Sequence, residues 1–189
     1  MKRFLKEVQE RFPDYKLSSL DTNHKNVVRL SKPGSASLVA KTIWHDISDP
    51  EGDMGIKAQD KAYKTEVKIL SMLPKWWGLR LIDHFKTESN RVIVTNEIET
   101  GKGKMTLKII KQLKWLHSHK IAHNDLELKN ILLTKNGPVI IDFEKSIMKA
   151  SKEEMQQDCI TLRKNLKEKS KKRYGNRSLS AYTRRRKVL

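Results

Sequence analysis

Cysteine occurs once, at Cys159, so an intrachain disulfide is excluded and a reducing compartment is expected, the cytoplasm being the simplest choice. Long apolar runs are also missing. The longest, such as PVII at Pro138–Ile141, are far too short to cross a bilayer, and the opening MKRFLKEVQERF has charges where a secretion signal needs an apolar stretch. No membrane span is expected. Acids are scarce relative to bases, 22 against 40, which leaves a formal charge of +18 and a pI near 10.0. Such a molecule attracts polyanions, whether nucleotides, nucleic acid, acidic proteins or anionic membrane surfaces. With 189 residues the chain can bury a core as one domain or two small lobes, and two large domains are excluded.

The positive charge is concentrated late. From Arg163 to Leu189 there are twelve Lys or Arg and one acid, Glu168, a net +11 in the last 27 residues. A solvated helix face running into a tail accounts for this run; so does an electrostatic footprint for RNA or another polyanion, because neutralising phosphates releases counterions.

Periodicity divides the remainder. Phe4, Leu5, Val8 and Phe12 recur at helical spacing and Pro13 stops them. NVVRL (26–30) and LVAKTIW (38–44) flank a Pro-Gly turn and predict a hairpin with Lys41 in its second strand. A polar loop, HDISDPEGDMG, leads to a predicted helix over 57–73, ended by Pro74, with Ala62, Ile69, Leu70 and Leu73 on one apolar face. Glu66 falls on that face, and a carboxylate there needs a cationic partner. LRLIDHF (79–85) and RVIVTNEI (91–98) are further strand candidates joined by a short turn. After the glycine-containing ETGKGKM, the stripe Ile109, Ile110, Leu113, Leu116 marks a helix. Strand-rich sequence therefore gives way to helix-rich sequence near 99–103, which reads as two lobes with a hinge.

Just past that helix stands IAHNDLELKN (121–130), followed by IDF at 141–143. Phosphoryl transfer requires a cation for nucleotide phosphates, oxygen ligands for Mg2+ and a carboxylate to orient the attacking hydroxyl. Asp125 can accept the hydroxyl proton, Asn130 and Asp142 offer hard oxygen ligands, and Lys41 paired with Glu66 can face the phosphates. Taken singly each has a plainer explanation: an edge-strand lysine, a solvated helix charge, turn formers, and for His123 a packed structural histidine. The order of the whole set lifts them above those explanations.

On these residues the chain resembles the protein-kinase-like superfamily. IIKQLKWLHSHKIAHNDLELKNILL is similar to a kinase helix E and catalytic loop, with Asp125 and Asn130 at the HxDxxxxN positions. VIIDFE matches the strand and DFG segment, LVAKTI the strand of the phosphate lysine, and YKTEVKILSML helix C. QQDCITLRKNL is similar to helix F, whose Asp158 would hold the catalytic loop from below. The resemblance implies an α+β, two-lobed fold: a small antiparallel-sheet N-lobe with helix C over about 1–99, a truncated helical C-lobe over about 104–168, and a basic tail at 169–189. It also implies ATP and Mg2+ as ligands, Lys41 on the phosphates, Glu66 orienting it, Asp125 as base, and Asn130 and Asp142 on the metal.

Departures from the pattern narrow the expectation. The stretch expected to cover the phosphates, SSLDTNHKN (18–26), contains no glycine, so its backbone approaches phosphates less freely. Asn124 replaces the arginine that reads a phosphorylated activation loop. Glu127 stands where Ser/Thr kinases carry a catalytic-loop lysine, with Lys129 the nearest substitute, and Glu144 replaces the DFG glycine. This outline resembles the atypical branch, the RIO kinases and the kinase subunit of the KEOPS complex, and implies a protein Ser/Thr kinase acting on a protein partner or on itself, or an ATPase-like activity in the service of RNA-linked machinery. HND and DFE are shared with choline and aminoglycoside kinases, which keeps a small-molecule kinase open; a pseudokinase or RNA-associated module that merely keeps the fold is the third alternative.

Overall fold

The computed structural model describes residues 2–20, 26–43, 52–88, 90–101 and 107–174, and of 52–54 and 168–174 only the backbone. Helix α1 (Lys2–Arg11) buries Phe4 and Val8, one turn apart. A five-stranded antiparallel sheet follows in the order β1-β2-β3-β5-β4, from β1 (Lys16–Ser19), β2 (Val27–Ser31), β3 (Leu38–Ile43), β4 (Leu81–Lys86) and β5 (Arg91–Asn96).

Strand β1 corrects the expectation that 18–26 is wholly a phosphate-covering loop: Ser18 and Ser19 pair with Arg29 and Val28. KLSS has a single apolar side chain, so its strand character comes from pairing with β2 rather than from its own pattern. Residues 21–25 of that loop, Trp44 of the expected strand and 45–51 of the expected polar loop lie outside the described residues.

Side chains alternate along β3 and sort onto the two faces of the sheet. Leu38 and Ala40 join Phe4 and Val8 of α1, with Val28, Leu30, Val92 and Val94, in a core on one side. Ile43 packs on the opposite side against helix α2 (Gly52–Met72), and Lys41 points the same way, to Glu66 of α2. This helix starts five residues before the expected Lys57. Gly52 and Gly55 concealed its first turn, glycine being the poorest helix former after proline.

The second half comprises α3 (Lys108–Ser118), β6 (Ile121–Ala122), a 3-10 turn (Leu128–Asn130), β7 (Ile131–Thr134), β8 (Gly137–Ile140), β9 (Ile147–Met148) and α4 (Lys152–Tyr174). β7 pairs with β8, and β6 with β9. Tyr63, Ile69 and Leu70 of α2 share one core with Trp77, Leu116, Ile140, Phe143 and Leu162, so α2 joins the sheet to the helical half. Trp77 is fully buried and its indole N–H donates to the Ile140 carbonyl at 3.0 Å, satisfying the polar atom that burial would otherwise strand. The anchored carbonyl lies two residues before Asp142.

The expected boundary between 168 and 169 falls inside α4, whose backbone continues to Tyr174; residues 175–189 of the expected tail lie outside the described residues. No helix among the described residues is long and apolar enough to cross a membrane. The mixed architecture, a small antiparallel sheet flanked by helices and followed by a helical half with short strand pairs, is the α+β kinase-like arrangement.

Candidate active site

Between the two halves the tertiary structure assembles residues far apart in sequence. Lys41 Nζ lies 2.7 Å from Glu66 Oε2, 2.8 Å from Asp142 Oδ1 and 3.7 Å from Glu144 Oε2. Glu66 is only 4% exposed. Burial alone would push the Lys41 ammonium down, but the charges of Glu66 and Asp142 outweigh it and hold Lys41 above its ordinary range. Burial pushes Glu66 up, against the pull of Lys41, and the neighbouring Asp142 and Glu144 add to that rise. Burial also opposes ionisation of Asp142, yet the Lys41 charge prevails and keeps it below the usual carboxylate range. One ammonium thus faces three carboxylates.

That imbalance bears on metal binding. One carboxylate oxygen from each of Glu66, Asp142 and Glu144 lies within 4.8 Å of the others. Hard oxygen donors in excess of the local positive charge fit a divalent cation such as Mg2+, with Asp142 and Glu144 half-exposed and Glu66 beneath them. Such an ion would supply charge neutralisation for bound phosphates. Glu144 was legible only as a missing glycine, although its place two residues after Asp142 was a signal that it could join the set.

Asp142 has φ +65°, in the left-handed region that few side chains other than Asn and Asp accept. Holding a residue there costs about 1–3 kcal/mol, and the neighbours supply the constraint. The Ile141 amide donates to the Asn130 carbonyl at 3.0 Å, and Phe143 is fully buried against Trp77 and His123, with ring centroids 6.1 and 5.2 Å away.

The loop carrying Asp125 is held from below by Asp158 on α4. This carboxylate, 2% exposed, accepts the backbone N–H of His123 at 2.7 Å and of Asn124 at 2.9 Å, with His117 Nε2 at 3.1 Å. Asn124 has φ +60°, where asparagine is among the best-tolerated residues, and its Nδ2 donates to the Lys145 carbonyl at 3.2 Å. His123 joins the two functional segments. Its Nδ1 accepts the Asp125 N–H at 3.3 Å, which assigns the ring proton to Nε2, and Nε2–H donates to the Ile141 carbonyl at 3.0 Å. Burial pushes the His123 imidazole down, so the neutral ring is the folded form.

Asn130 Nδ2 donates to the Asp125 carbonyl at 2.9 Å, fixing the far end of the loop. Among the described residues no hydrogen bond or ion pair joins Asn130 directly to Asp142; the two communicate through the Ile141 backbone. Asp125 itself is largely covered, and its Oδ2 lies 3.1 Å from Lys145 Nζ. Lys129 does not take that place: its Nζ pairs with Glu127 Oε2 at 2.9 Å on the exposed side of the loop.

Overhead, Val39 is half-buried on the same strand face as Lys41, and Arg29 of β2 reaches the segment after β5, its Nη2 and Nε donating to Glu97 at 2.6 and 2.9 Å. The Gly101 amide ties that segment to the Leu133 carbonyl at 2.9 Å, while 102–106 lie outside the described residues. A separate cavity of about 560 Å³ opens beside Glu97–Gly101 and the β7–β8 turn, and none of Lys41, Glu66, Asp125, Asn130 or Asp142 lines it.

A half-buried lysine between a helix glutamate and a left-handed aspartate, with a second aspartate on a clamped loop tied to that segment through His123, is an arrangement able to hold a polyphosphate and orient a hydroxyl toward it. Comparison with curated proteins returns no match. The RIO domain family model matches residues 79–179, which include Asp125, Asn130, Asp142 and Asp158; Lys41 and Glu66 stand upstream of the match and reach the site through the fold. With more than half of its length matched, the chain belongs to the RIO domain family, an atypical protein-kinase-like family of ATP-dependent phosphotransferases.

Proposed function

We propose that this chain is an active atypical protein kinase that uses Mg-ATP to phosphorylate serine or threonine hydroxyls, on a protein partner or on itself. The observation that carries the reading is the pair of contacts from Lys41 Nζ to Glu66 and Asp142, at 2.7 and 2.8 Å: a lysine so aimed is poised for phosphates. In this reading Lys41 binds the nucleotide phosphates, Glu66 orients Lys41, Asp125 is the base, and Asn130 and Asp142 hold Mg2+, with Glu144 of the carboxylate cluster as a further donor. The neutral, doubly hydrogen-bonded His123 supports a structural role for that residue, leaving Asp125 as the proton acceptor. The kinase unit spans 1–168 and works in the cytoplasm, and the basic run at 169–189 contacts RNA or another polyanion through its charge.

Purified protein incubated with ATP labelled at the γ-phosphate tests this. Mg2+-dependent label on the protein itself or on a protein acceptor, lost in Asp125→Asn, is the expected result. Label on choline-like or aminoglycoside alcohols would replace the reading with a small-molecule kinase, and no Mg2+-dependent ATP binding at all would make the chain a pseudokinase.

A further inference from the structure

The transferring phosphoryl group needs positive charge beside it, and the loop carries Glu127 where a lysine would provide it. Of the nearby cations, Lys41 is committed to Glu66 and Asp142, and Lys129 to Glu127. Lys145 differs from both. Its Nζ lies 3.1 Å from Asp125 Oδ2, the carboxylate that would face the attacking hydroxyl, and its side chain is 64% exposed, so the ammonium can swing without repacking the core. Its backbone is held in place: Asn124 Nδ2 bonds the Lys145 carbonyl, while the Asn124 amide is itself gripped by Asp158. The cation is thus delivered to Asp125 by the segment following Asp142, rather than by the catalytic loop.

We infer that Lys145 is the cation that steadies the phosphoryl group during transfer, with Asn124 as its positioning residue. The inference rests on the phosphotransferase reading above. As the acceptor oxygen forms its bond to the γ-phosphorus, the bond from that phosphorus to the β,γ-bridging oxygen breaks and its electron pair leaves on ADP. The acceptor proton passes to Asp125. The Lys145 ammonium gives up no proton; it moves from the Asp125 oxygen to the phosphoryl oxygens, where donors pre-aimed at transition-state charge have their largest effect.

The experiment compares wild type, Lys145→Met, Lys145→Arg and the double variant Lys145→Met with Glu127→Lys, measuring kcat and KM for ATP. Because the Glu127 amide already bonds the Asp125 carbonyl at 2.8 Å, a lysine at 127 stands close enough to restore the charge from the other side. Expected are a fall in kcat of about 100-fold in Lys145→Met with KM for ATP changed less than about threefold, retention by Lys145→Arg to within about tenfold, and recovery of at least about tenfold when Glu127→Lys is added. A merely structural ion pair would not be rescued by a cation at 127, so loss without recovery overturns the inference. Undiminished kcat in Lys145→Met overturns it while leaving the phosphotransferase reading intact, and a wild type that transfers nothing overturns both.

Discussion

His123 and Asp158, 35 positions apart, are joined by a buried hydrogen bond of 2.7 Å from the histidine amide to the aspartate carboxylate. The same carboxylate takes the next amide, from Asn124, so two successive backbone donors in a strained turn are satisfied by one side chain. This bond pair holds the loop that presents Asp125, and it ties that loop to α4 rather than to its own neighbours in sequence.

Replacing Asp158 by Ala should therefore cost about 2–4 kcal/mol in urea unfolding, because both amides lose their charged acceptor inside the protein. Asp158→Asn keeps one acceptor oxygen but turns an N–H toward a donor, and should recover less than half of that loss. Turnover should fall in both variants, since the left-handed backbone at Asn124 loses its anchor.

Lys41→Met leaves Glu66 buried with Asp142 and Glu144 and no counter-charge. Breaking such a pair costs about 3–5 kcal/mol at neutral pH. The sign with pH follows from Glu66, whose carboxyl is already held above its ordinary value: the folded variant takes up a proton more readily than the unfolded chain, so stability returns as pH falls. Urea midpoints of Lys41→Met should rise, relative to wild type, between pH 8 and pH 5. The double variant Lys41→Met with Glu66→Gln should lose most of this pH dependence.

His123 titrates in the opposite sense. Its pKa is depressed below 6.5 by burial, so on acidification the unfolded chain binds the proton first. The stability contributed by the neutral ring is complete above about pH 6.5 and is lost as pH falls from there toward the folded pKa. Nitrogen-detected imidazole spectra should show the Nε2–H tautomer persisting at pH 6, and the corresponding stability slope should vanish in His123→Asn.

Asp142→Asn should abolish Mg2+-dependent turnover with the fold retained, since charge rather than bulk would hold the cation. Asp125→Asn should lower kcat by about 10²–10⁴-fold while leaving nucleotide affinity within a few-fold, the signature of a lost base. Mg2+-dependent turnover surviving in Asp142→Asn would refute the metal assignment.

Deletion of 169–189 should weaken binding to RNA or heparin and flatten its dependence on salt, because each lost Lys or Arg removes part of the counterion release. Unchanged binding, measured by fluorescence anisotropy across a salt series, would return this run to an ordinary solvated charge surface.

The hairpin around Pro33-Gly34, the helix ended by Pro74 and the order of Lys41, Glu66, Asp125, Asn130 and Asp142 are legible in the sequence, because periodicity and motif spacing are local properties. The first turn of α2 and strand β1 are not. Two glycines masked the former, and the latter depends on a partner strand.

Asp158 as the support beneath the loop was also legible, but only through the resemblance. Lys145 was not, and Glu144 only by its place two residues after Asp142, since local sequence does not say which of several charges will face Asp125 or Lys41. Glu127 and Lys129 illustrate the difficulty: Lys129 is closer in sequence to Asp125 than Lys145, yet it faces Glu127.

The sequence by itself determined the α+β class, the strand and helix faces and the set of chemical groups, because these depend on side-chain type and on periods of two and 3.6 residues. The tertiary structure alone decided which charges meet. Ion pairing depends on distances of a few ångströms between elements as far apart as β3 and the segment after β8, and those distances follow from how α2, Trp77 and α4 pack into one core.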